Sequence, residues 1–487
     1  GTINKGGIDV PGYSDKLHHY DAHLQDWKSG DPTWGSENKG KRIIGAINYL
    51  ASTGANAFSF ITYNWGGDGR DVWPFVIGNQ KTVYDCSKLD QWEILLEHAD
   101  KLGMHMNFKT QERENDSGFH SFDNGNLGVS RKLYYRELIA RFSHHRAVTW
   151  NLGEETSQTI SQIKDMAEEF KRVDPYEHNV VIHTYPSQLE QYYAPLLGDQ
   201  SELTGASIQT DHTTVHRDVV TWVTRSEAVG RPWIVSNDEQ GFYKHGIYPD
   251  DSYPAGANPN TWVANVLWGA FLGGGAGVEV YFGYNHHDND LNMETFRSRH
   301  NWWGYSNNIL EYFKNVPYWN MRSADELITG GTYCFAAPGS LYIIYHKNNV
   351  DSDTKVDLSG YTTTFSVRWY DPMTGGNEKT GSKTTVQGGG NVNYGTPPGN
   401  ESMHWVARLY QSGPTPEPTA APPTANPTTA QPTTSAPTPA PTTSAPTPSP
   451  TTAAPTIASP TPSPTTPAPT PSPTTPSPTV ATTCHVV

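Results

Sequence analysis

The chain of 487 residues contains only three cysteines, Cys86, Cys334 and Cys484. None of them lies in a C-x-x-C pair, and three are too few for a disulfide framework or for a metal site built from thiolates. The chain also lacks an apolar run long enough to cross a bilayer. The sequence therefore predicts neither a small disulfide-stabilised scaffold nor a membrane-spanning protein.

Positive charge is scarce as well. The chain has 34 Lys and Arg residues against 49 Asp and Glu residues, which gives a net charge of −15 at pH 7. No cluster of basic residues interrupts this acidic background. Because the overall field repels polyanions, we expect neither a nucleic-acid partner nor binding to an anionic membrane.

Several motifs of common catalytic sites are missing. No Gly-rich loop follows a first strand, and the stretch GSENKGKR has Arg42 where a phosphate loop needs Ser or Thr to bind magnesium. The chain has no G-x-S-x-G elbow and no H-E-x-x-H run, so a protease is disfavoured. We therefore expect no bound metal and no cofactor.

The most distinctive feature that is present is the C-terminal composition. From Gly413 to Thr483 the chain is almost wholly Pro, Thr, Ser and Ala. Such a segment cannot bury enough apolar surface to offset its ordering entropy, so we expect residues 412–487 to be disordered. Ser and Thr with Pro are typical of an O-glycosylated stalk, although an unmodified spacer is the alternative. A stalk of this kind favours a secreted, extracellular protein.

Between Gly1 and about Met321, short apolar runs alternate with amphipathic stretches. The predicted strands, in order, are Thr2–Gly7, Asn56–Thr62, Met104–Lys109, Ala147–Asn151, Val180–His183, Ala206–Gln209, Trp233–Ser236 and Val278–Phe282. The predicted helices are Ile43–Ser52, Leu89–Leu102, Arg131–Phe142 and Ile160–Val173. This alternation favours an α/β fold with a (β/α)₈ TIM barrel over residues 1–321.

The hydrophobic period changes to two after about residue 322. Ser340–Tyr345 and Thr364–Trp369 alternate apolar and polar residues and are bounded by Asn-Asn, Ser-Gly and Gly-Gly turns. We expect residues 322–411 to form a small antiparallel β-sandwich next to the barrel.

Acids, amides and aromatic residues follow the ends of the predicted barrel strands. In a (β/α)₈ barrel these carboxyl ends meet on one face, which carries the reactive residues. The candidate substrate-binding residues are Asn64, Asp68, Trp73, Gln111, Glu154, His183, Tyr185, Gln209, Asp238 and Tyr281. Rings that stack on sugar faces and polar groups that bind hydroxyls together predict a carbohydrate site.

Three of these candidates have alternative interpretations. The loop GGDGRDVWPF, which contains Asp68 and Trp73, has carboxylates for a cation but lacks the spacing of an EF-hand, so a substrate loop or a turn is favoured. His183 fits a substrate ligand and a structural histidine equally well.

Glu155 and Glu239 are the candidate catalytic residues, after the fourth and seventh predicted strands. Glycoside hydrolysis needs two carboxyl groups, about 5–5.5 Å apart for a covalent intermediate or about 6.5–9.5 Å apart when water attacks directly. Strand ends in one closed barrel can meet across its rim. The alternative for Glu154 and Glu155 is a solvated strand end beside a helix N-terminus.

The segments WNLGEE and PWIVSNDEQG resemble the fourth-strand and seventh-strand signatures of the large superfamily of retaining glycoside hydrolases. The resemblance implies that Glu155 is the general acid/base and Glu239 the nucleophile. The chain departs from the signature at Glu154, where the superfamily usually has Asn. This departure leaves open that Glu154 is the acid, or that Asp238 replaces Glu239.

A second resemblance covers nearly all of residues 1–411. The stretches KGGIDVP, HHYDAHLQDW, KLDQWEILLEHADKLGMH, YYRELIARFSHH, HTYP and WGAFLGGGAGVEVYFGY are similar to a group of barrel proteins labelled as glycoside hydrolases. Members of that group commonly end in a β-sandwich named for collagen binding, which residues 322–411 resemble.

The sequence thus predicts a secreted, monomeric glycoside hydrolase that cleaves a poly- or oligosaccharide. A glycan- or matrix-binding protein without catalytic activity is one alternative, suggested by the name of the related sandwich. A polysaccharide lyase is the other, and it would need a cation or Arg cluster to neutralise a substrate carboxylate. The acidity of this chain argues against the lyase.

Overall fold

The computed structural model describes residues 20–411, apart from short gaps at 36–38, 67–71, 242–243, 245, 254–258, 291, 348–349, 352 and 400–403. The predicted first strand, Thr2–Gly7, lies outside the described residues, and so does the predicted stalk, 412–487. No helix in the described part of the chain combines the length and the hydropathy that a bilayer span requires.

The N-terminal part forms two parallel sheets of four strands each, in the orders β1-β2-β3-β4 and β5-β6-β7-β8. The strands are β1 Ala57–Ile61, β2 His105–Lys109, β3 Val148–Asn151, β4 Asn179–Val181, β5 His183–Thr184, β6 Gly205–Thr210, β7 Ile234–Gln240 and β8 Gly277–Val278. The helices are α1 Lys41–Ser52, α2 Cys86–Lys101, α3 Val129–Phe142, α4 Ile160–Val173, α5 Leu189–Tyr193, α6 Val215–Ala228, α7 Pro259–Trp262, α8 Gly269–Leu272 and α9 His300–Phe313. A π-helical turn, Val263–Trp268, joins α7 to α8.

The structure shows a TIM-barrel-like α/β arrangement, but the described strands form two sheets and not one closed ring of eight. Two features account for the difference. The predicted fifth strand, Val180–His183, is interrupted at Ile182 between β4 and β5, and the predicted first strand lies outside the described residues. The predicted eighth strand is also shorter, because β8 ends at Val278.

The four predicted helices are confirmed as α1 to α4. Their apolar residues recur on one face because a helix turns once every 3.6 residues, and that face is buried against the sheets. Helix α4 begins with a capping box: Thr159 accepts a hydrogen bond from the Gln162 amide, and the Gln162 side chain accepts one from the Thr159 amide.

Polar residues alternate with apolar ones along β2. Met106 and Phe108 are fully buried, and the Phe108 ring contacts Phe142 and Trp150 in the outer layer. Lys109, one residue further on, is also buried but binds carboxylates of other strands. Because successive side chains in a strand point to opposite faces, this alternation gives the sheet an apolar outer face and a charged inner face.

The C-terminal part consists of two antiparallel sheets, as the period of two predicted. The larger sheet has the strand order β15-β14-β17-β12-β11-β9, and the smaller one has the order β10-β13-β16. The strands are β9 Arg322–Ser323, β10 Ile328–Thr329, β11 Tyr333–Ala337, β12 Leu341–His346, β13 Lys355–Asp357, β14 Thr364–Tyr370, β15 Thr385–Gln387, β16 Asn391–Asn393 and β17 Trp405–Gln411.

The larger sheet is buried on both faces. Along β12, Ile343 and Tyr345 join the core of the barrel, whereas Tyr342 and Ile344 join the core between the two antiparallel sheets. The Trp268 ring, from the π-helical turn, lies 5.4 Å from the Tyr345 ring. One apolar core therefore extends from the parallel sheets to the antiparallel sheets of residues 322–411.

Candidate active site

Strand β7 carries a β-bulge at the point where its acidic residues begin. Ile208 of β6 pairs with Asn237, but the next residue, Gln209, pairs with Glu239, so Asp238 is the extra residue. A bulge changes the direction of the side chains that follow it. As a result, both Asp238 and Glu239 are buried between strands.

The two acids of β7 have different partners. The Asp238 carboxylate accepts hydrogen bonds from the Ser207 hydroxyl and, at 3.2 Å, from Asn107 Nδ2. Glu239 Oε2 lies 3.4 Å from His183 Nε2. Asp238 is thus hydrogen-bonded to residues of β2 and β6, while Glu239 faces His183 of β5, which is two strands away from β7 in the sheet.

The turn after β3 presents Glu154 and Glu155. The Glu154 amide donates a hydrogen bond to the Gln111 carbonyl at 2.9 Å, and Glu155 has a left-handed φ of 47°. Left-handed backbone is unfavourable for a residue with a Cβ, and such conformations cluster at functional sites. The Glu155 carboxyl is held by hydrogen bonds with Tyr185 and Gln209.

The structure brings these acids together. One donor atom each from Glu154, His183 and Glu239 lie within 4.8 Å of one another. Glu155 is close enough that its charge acts on Glu239. The carboxylates that follow the fourth and seventh predicted strands therefore lie in one cluster.

Crowding and burial alter the proton affinity of this cluster. Burial raises the pKa of Glu155 to about 7; the hydrogen bond from Tyr185 opposes that rise, and the charge of Glu154 adds to it. Burial also raises the pKa of Glu239 well above its ordinary value, and the charges of Glu155 and Glu154 contribute further. Neighbouring carboxyl groups of this kind share protons, so one of them is neutral near pH 7.

A buried lysine neutralises part of the cluster. Lys109 Nζ donates hydrogen bonds to Glu154 Oε1 at 3.0 Å and to Glu279 Oε1 at 3.2 Å. Burial alone would lower the pKa of Lys109, but the charges of Glu154 and Glu279 outweigh it and keep the pKa well above its ordinary value. Lys109 therefore remains a cation and favours the anionic form of Glu154.

His183 is neutral and oriented by its neighbours. Burial lowers the pKa of His183 well below its ordinary value, and the charge of Lys109 lowers it further. The Ser207 hydroxyl donates to Asp238, so the 3.0 Å contact between His183 Nδ1 and Ser207 Oγ is a hydrogen bond donated by the imidazole. The unprotonated Nε2 then faces Glu239.

Three further candidates lie around the cluster. The Tyr185 hydroxyl accepts a hydrogen bond from Arg113, whose guanidinium lies 4.8 Å from the Tyr185 ring. Gln209 is buried and donates to the Gly241 carbonyl at 3.2 Å in addition to its bond with Glu155. Burial, and then the charge of Glu239, raise the pKa of Tyr281, so its hydroxyl stays neutral beside that acid.

The other predicted ligands have different surroundings. The Gln111 side chain is buried between Asp116 and Arg131, donating to the first and accepting from the second. The Trp73 ring packs edge-on against Trp65, with Lys88 Nζ 4.9 Å above it.

Asn64 is buried, and its backbone N–H donates a hydrogen bond to the Val72 carbonyl oxygen at 2.8 Å. Asp68 lies outside the described residues.

Sequence reasoning did not include Lys109, Asn107, Ser207 or Glu279 among the site residues. All four are polar residues inside predicted or observed strands, Lys109 and Ser207 buried and Asn107 and Glu279 partly buried. Their side chains connect Glu154 to Asp238. The sequence feature that could have pointed to Lys109, Asn107 and Glu279 is the alternation in the segments HMNFK and GVEVY, in which every second side chain lies on the same face of the strand.

A cavity of about 990 Å³ lies between β1 and β8. Its wall is mostly apolar, and Asn107, Asp238 and Glu279 reach it from the strands. Neither Glu155 nor Glu239 lines it. We therefore place the candidate active site at the carboxylate cluster and not in this larger space.

Comparison with known proteins gives a fold match and no family match. No family profile matches the chain, and no curated protein matches it. Among the solved structures that match its fold are two proteins from Bacteroides vulgatus. A glycoside hydrolase family 5 protein from Bacteroides vulgatus is 12% identical, with 76% of this chain and 85% of that chain covered and a TM-score of 0.55.

The second structure is another Bacteroides vulgatus protein, described provisionally as a glycoside hydrolase. It is 17% identical, with 75% of each chain covered and a TM-score of 0.52. At these identities the similarity establishes the shared fold.

Proposed function

We propose that this protein is a glycoside hydrolase that cleaves a poly- or oligosaccharide with retention of anomeric configuration. The observation that carries the proposal is the carboxylate cluster: acids that follow β3 and end β7 meet beside a neutral histidine. Its fold is one that glycoside hydrolases use, which supports the proposal.

We assign the general acid/base to Glu155. Its pKa of about 7 leaves about half of the carboxyl protonated at neutral pH, so the acid form that the first step requires is present there. Glu154 is the weaker candidate, because the Lys109 ammonium at 3.0 Å favours its anion. An anion held by a buried cation is poorly suited to deliver a proton.

We assign the nucleophile to Glu239. Asp238 already accepts hydrogen bonds from Ser207 and Asn107 inside the strands, whereas Glu239 faces the acids of the β3 turn. Burial, and then the charge of Glu155, raise the pKa of Glu239. Protonation of Glu155 removes the second of these contributions and so favours the anionic Glu239 that a nucleophile requires.

The reaction then has two steps. Glu155 donates its proton to the glycosidic oxygen while a Glu239 oxygen attacks the anomeric carbon, which releases the leaving group and forms a glycosyl ester. Glu155, now an anion, removes a proton from water, the water oxygen attacks the anomeric carbon, and the ester bond breaks. The left-handed turn at Glu155 and its bonds to Tyr185 and Gln209 hold the acid in place for both steps.

The surroundings of Tyr185 disfavour a polysaccharide lyase. A lyase needs a base such as Tyr to remove a carbon-bound proton, and such a base works best with a lowered pKa. Burial and the bond to Glu155 instead raise the pKa of Tyr185.

The proposal also covers the secretion, the O-glycosylation and the oligomeric state of the enzyme. The stalk composition supports secretion and O-glycosylation of residues 412–487, and we expect the enzyme to act as a monomer. Mass spectrometry of protein secreted by a eukaryotic host tests the glycans, and light scattering tests the oligomeric state. An unmodified tail would contradict the proposed O-glycosylation, and a stable dimer would contradict the proposed monomeric state.

The experiment that tests the function is a screen of polysaccharides and aryl glycosides, with the anomer of the first product followed by NMR. We expect activity on at least one substrate, a first product of unchanged configuration, and a loss of about 10⁴-fold or more in kcat in the E239Q variant. E168Q is the matched control, because Glu168 is an exposed acid on the outer side of α4.

Three results would count against the proposal. Wild-type activity in E239Q would exclude the nucleophile. An inverted product would exclude the double displacement, and glycan binding without any cleavage would favour the non-catalytic alternative.

A further inference from the structure

A second group of ionisable side chains lies at the opposite end of the strands from the carboxylate cluster. His144 and His145 come just before β3 begins, whereas Glu154 and Glu155 come just after it ends. Glu93, from the middle of α2, faces the two histidines. None of these three residues has a part in the proposed reaction.

The two imidazoles converge on one carboxylate. His144 Nε2 lies 3.1 Å from Glu93 Oε1, and His145 Nε2 lies 3.5 Å from Glu93 Oε2. One donor atom from each of the three residues lies within 4.8 Å of the others. Ligands at about 2.0–2.1 Å from a tetrahedral ion are themselves about 3.3 Å apart, so these separations suit a single small cation.

The opposite nitrogen of each ring is already engaged. His144 Nδ1 lies 2.9 Å from the Arg141 carbonyl oxygen, which can only accept, so that Nδ1 carries the proton. His145 Nδ1 lies 3.0 Å from Asp100 Oδ2. A carboxylate or carbonyl on Nδ1 is the usual support of a histidine that binds metal through Nε2.

The inner half of the group is buried. The His145 side chain is 1% exposed, and its Nε2 faces Glu93 Oε2 at 3.5 Å, a separation longer than that of an ordinary hydrogen bond. An ion between these two buried atoms would give each of them a closer partner. His144 is 48% exposed, which gives an ion access and leaves room for water as a further ligand.

The charges around the group suit a dication. Glu93 and Asp100 supply two negative charges beside two imidazoles. The nearby Arg141 guanidinium is paired with Glu137 and Asp90.

We propose that Glu93, His144 and His145 form a binding site for one divalent transition-metal ion of the zinc class. Two imidazole nitrogens and a carboxylate oxygen form a donor set that such ions favour. The ion would link α2 to the segment between α3 and β3. Its role would be structural, because the reacting carboxylates lie at the other end of β3.

Zinc titration of the full chain by calorimetry, together with thermal unfolding, tests the proposal. We expect binding of zinc and a rise in Tm of about 2–4 °C at saturation. The variants E93Q and H144Q should lose this binding at least tenfold, and D100N should weaken it by about 10–100-fold. E97Q is the matched control, because Glu97 lies one helical turn further along α2 and pairs with Lys101 at the surface.

The variant E239Q distinguishes this site from the carboxylate cluster, where Glu154, His183 and Glu239 are also close together. Zinc binding that survives in E239Q and is lost in E93Q supports the proposal. Binding that is unchanged in E93Q and H144Q, or absent from the wild-type protein at micromolar zinc, would overturn it. Neither outcome depends on the enzyme being active.

Discussion

At the scale of single residues, Glu155 determines how activity should depend on pH. A general acid works only while it is protonated, so kcat/KM should fall as pH rises through about 7, the pKa of Glu155. The Tyr185 hydrogen bond lowers that pKa because it stabilises the carboxylate. We expect Y185F to move the alkaline limb upward by about 0.5–1 pH unit, as measured from the pH profile of kcat/KM.

The control for this prediction is Y176F, since Tyr176 is 57% exposed and lies on the connection between α4 and β4. Its profile should overlay that of the wild type. If the pH at which kcat/KM falls is lower in Y185F than in the wild type, or is unchanged, Glu155 is not the titrating acid.

Loss of Lys109 should be costly to stability. Replacement by Met leaves Glu154 and Glu279, whose side chains are 18% and 9% exposed, without their buried cation, and removing one partner of a buried pair typically costs about 3–5 kcal/mol. The pKa of Lys109 is raised well above its ordinary value, so the ammonium persists as the pH rises and the loss should be the same at about pH 7 and about pH 9. Urea unfolding of K109M at both pH values measures the loss.

K101M provides the comparison, because the Lys101 side chain is 71% exposed and its contact with Glu97 is 3.9 Å long. It should change the free energy of unfolding by less than about 0.5 kcal/mol. A destabilisation of K109M no larger than that of K101M would contradict the role given to Lys109.

At the scale of elements, the N-terminus of α4 offers a local test. Thr159 accepts a hydrogen bond from the Gln162 amide in the capping box. T159A should lower the free energy of unfolding by about 1 kcal/mol, which chemical denaturation can measure. S161A, an exposed position inside the first turn, should have little effect. An equal loss in both variants would mean that the cap contributes nothing specific.

Helices were easier to predict from this sequence than strands. The four helices with clear 3.6-residue periodicity, such as Ile160–Val173, match the structure closely because each buries one apolar stripe. The end of β7 was predicted to be a loop after Ser236, since polar residues fill SNDEQ. In fact β7 continues to Gln240, because the inner face of these strands is polar and charged.

The site was predictable only in part for the same reason. Glu155 and Glu239 stand out as acids that follow apolar runs, so their positions could be read from the chain. Lys109 could not, because a lysine at the end of a buried strand is ordinarily taken as solvated. The bulge at Asp238 leaves no mark in a single sequence, since it depends on the pairing of β6 with β7.

At the scale of the whole molecule, the part with the parallel sheets and the part with the antiparallel sheets should unfold together. Trp268 is fully buried, and its ring contacts Tyr345 of β12 and Tyr370 of β14 as well as Tyr312 of α9. Calorimetry should show one cooperative transition for both parts. W268A should lower the free energy of unfolding by about 3–5 kcal/mol.

W319A is the control, because Trp319 is 72% exposed. Two separate transitions in the wild-type protein, of which W268A shifts only one, would show that the two parts fold independently.

The double-sided burial of β12 has a practical consequence for anyone who wishes to dissect this protein. Expression of the N-terminal part alone, cut near residue 321, would uncover the apolar surface that Ile343 and Tyr345 now cover. Such a fragment should precipitate or require detergent even if its catalytic residues are intact. A loss of activity in the fragment would therefore say nothing about whether the sandwich touches substrate.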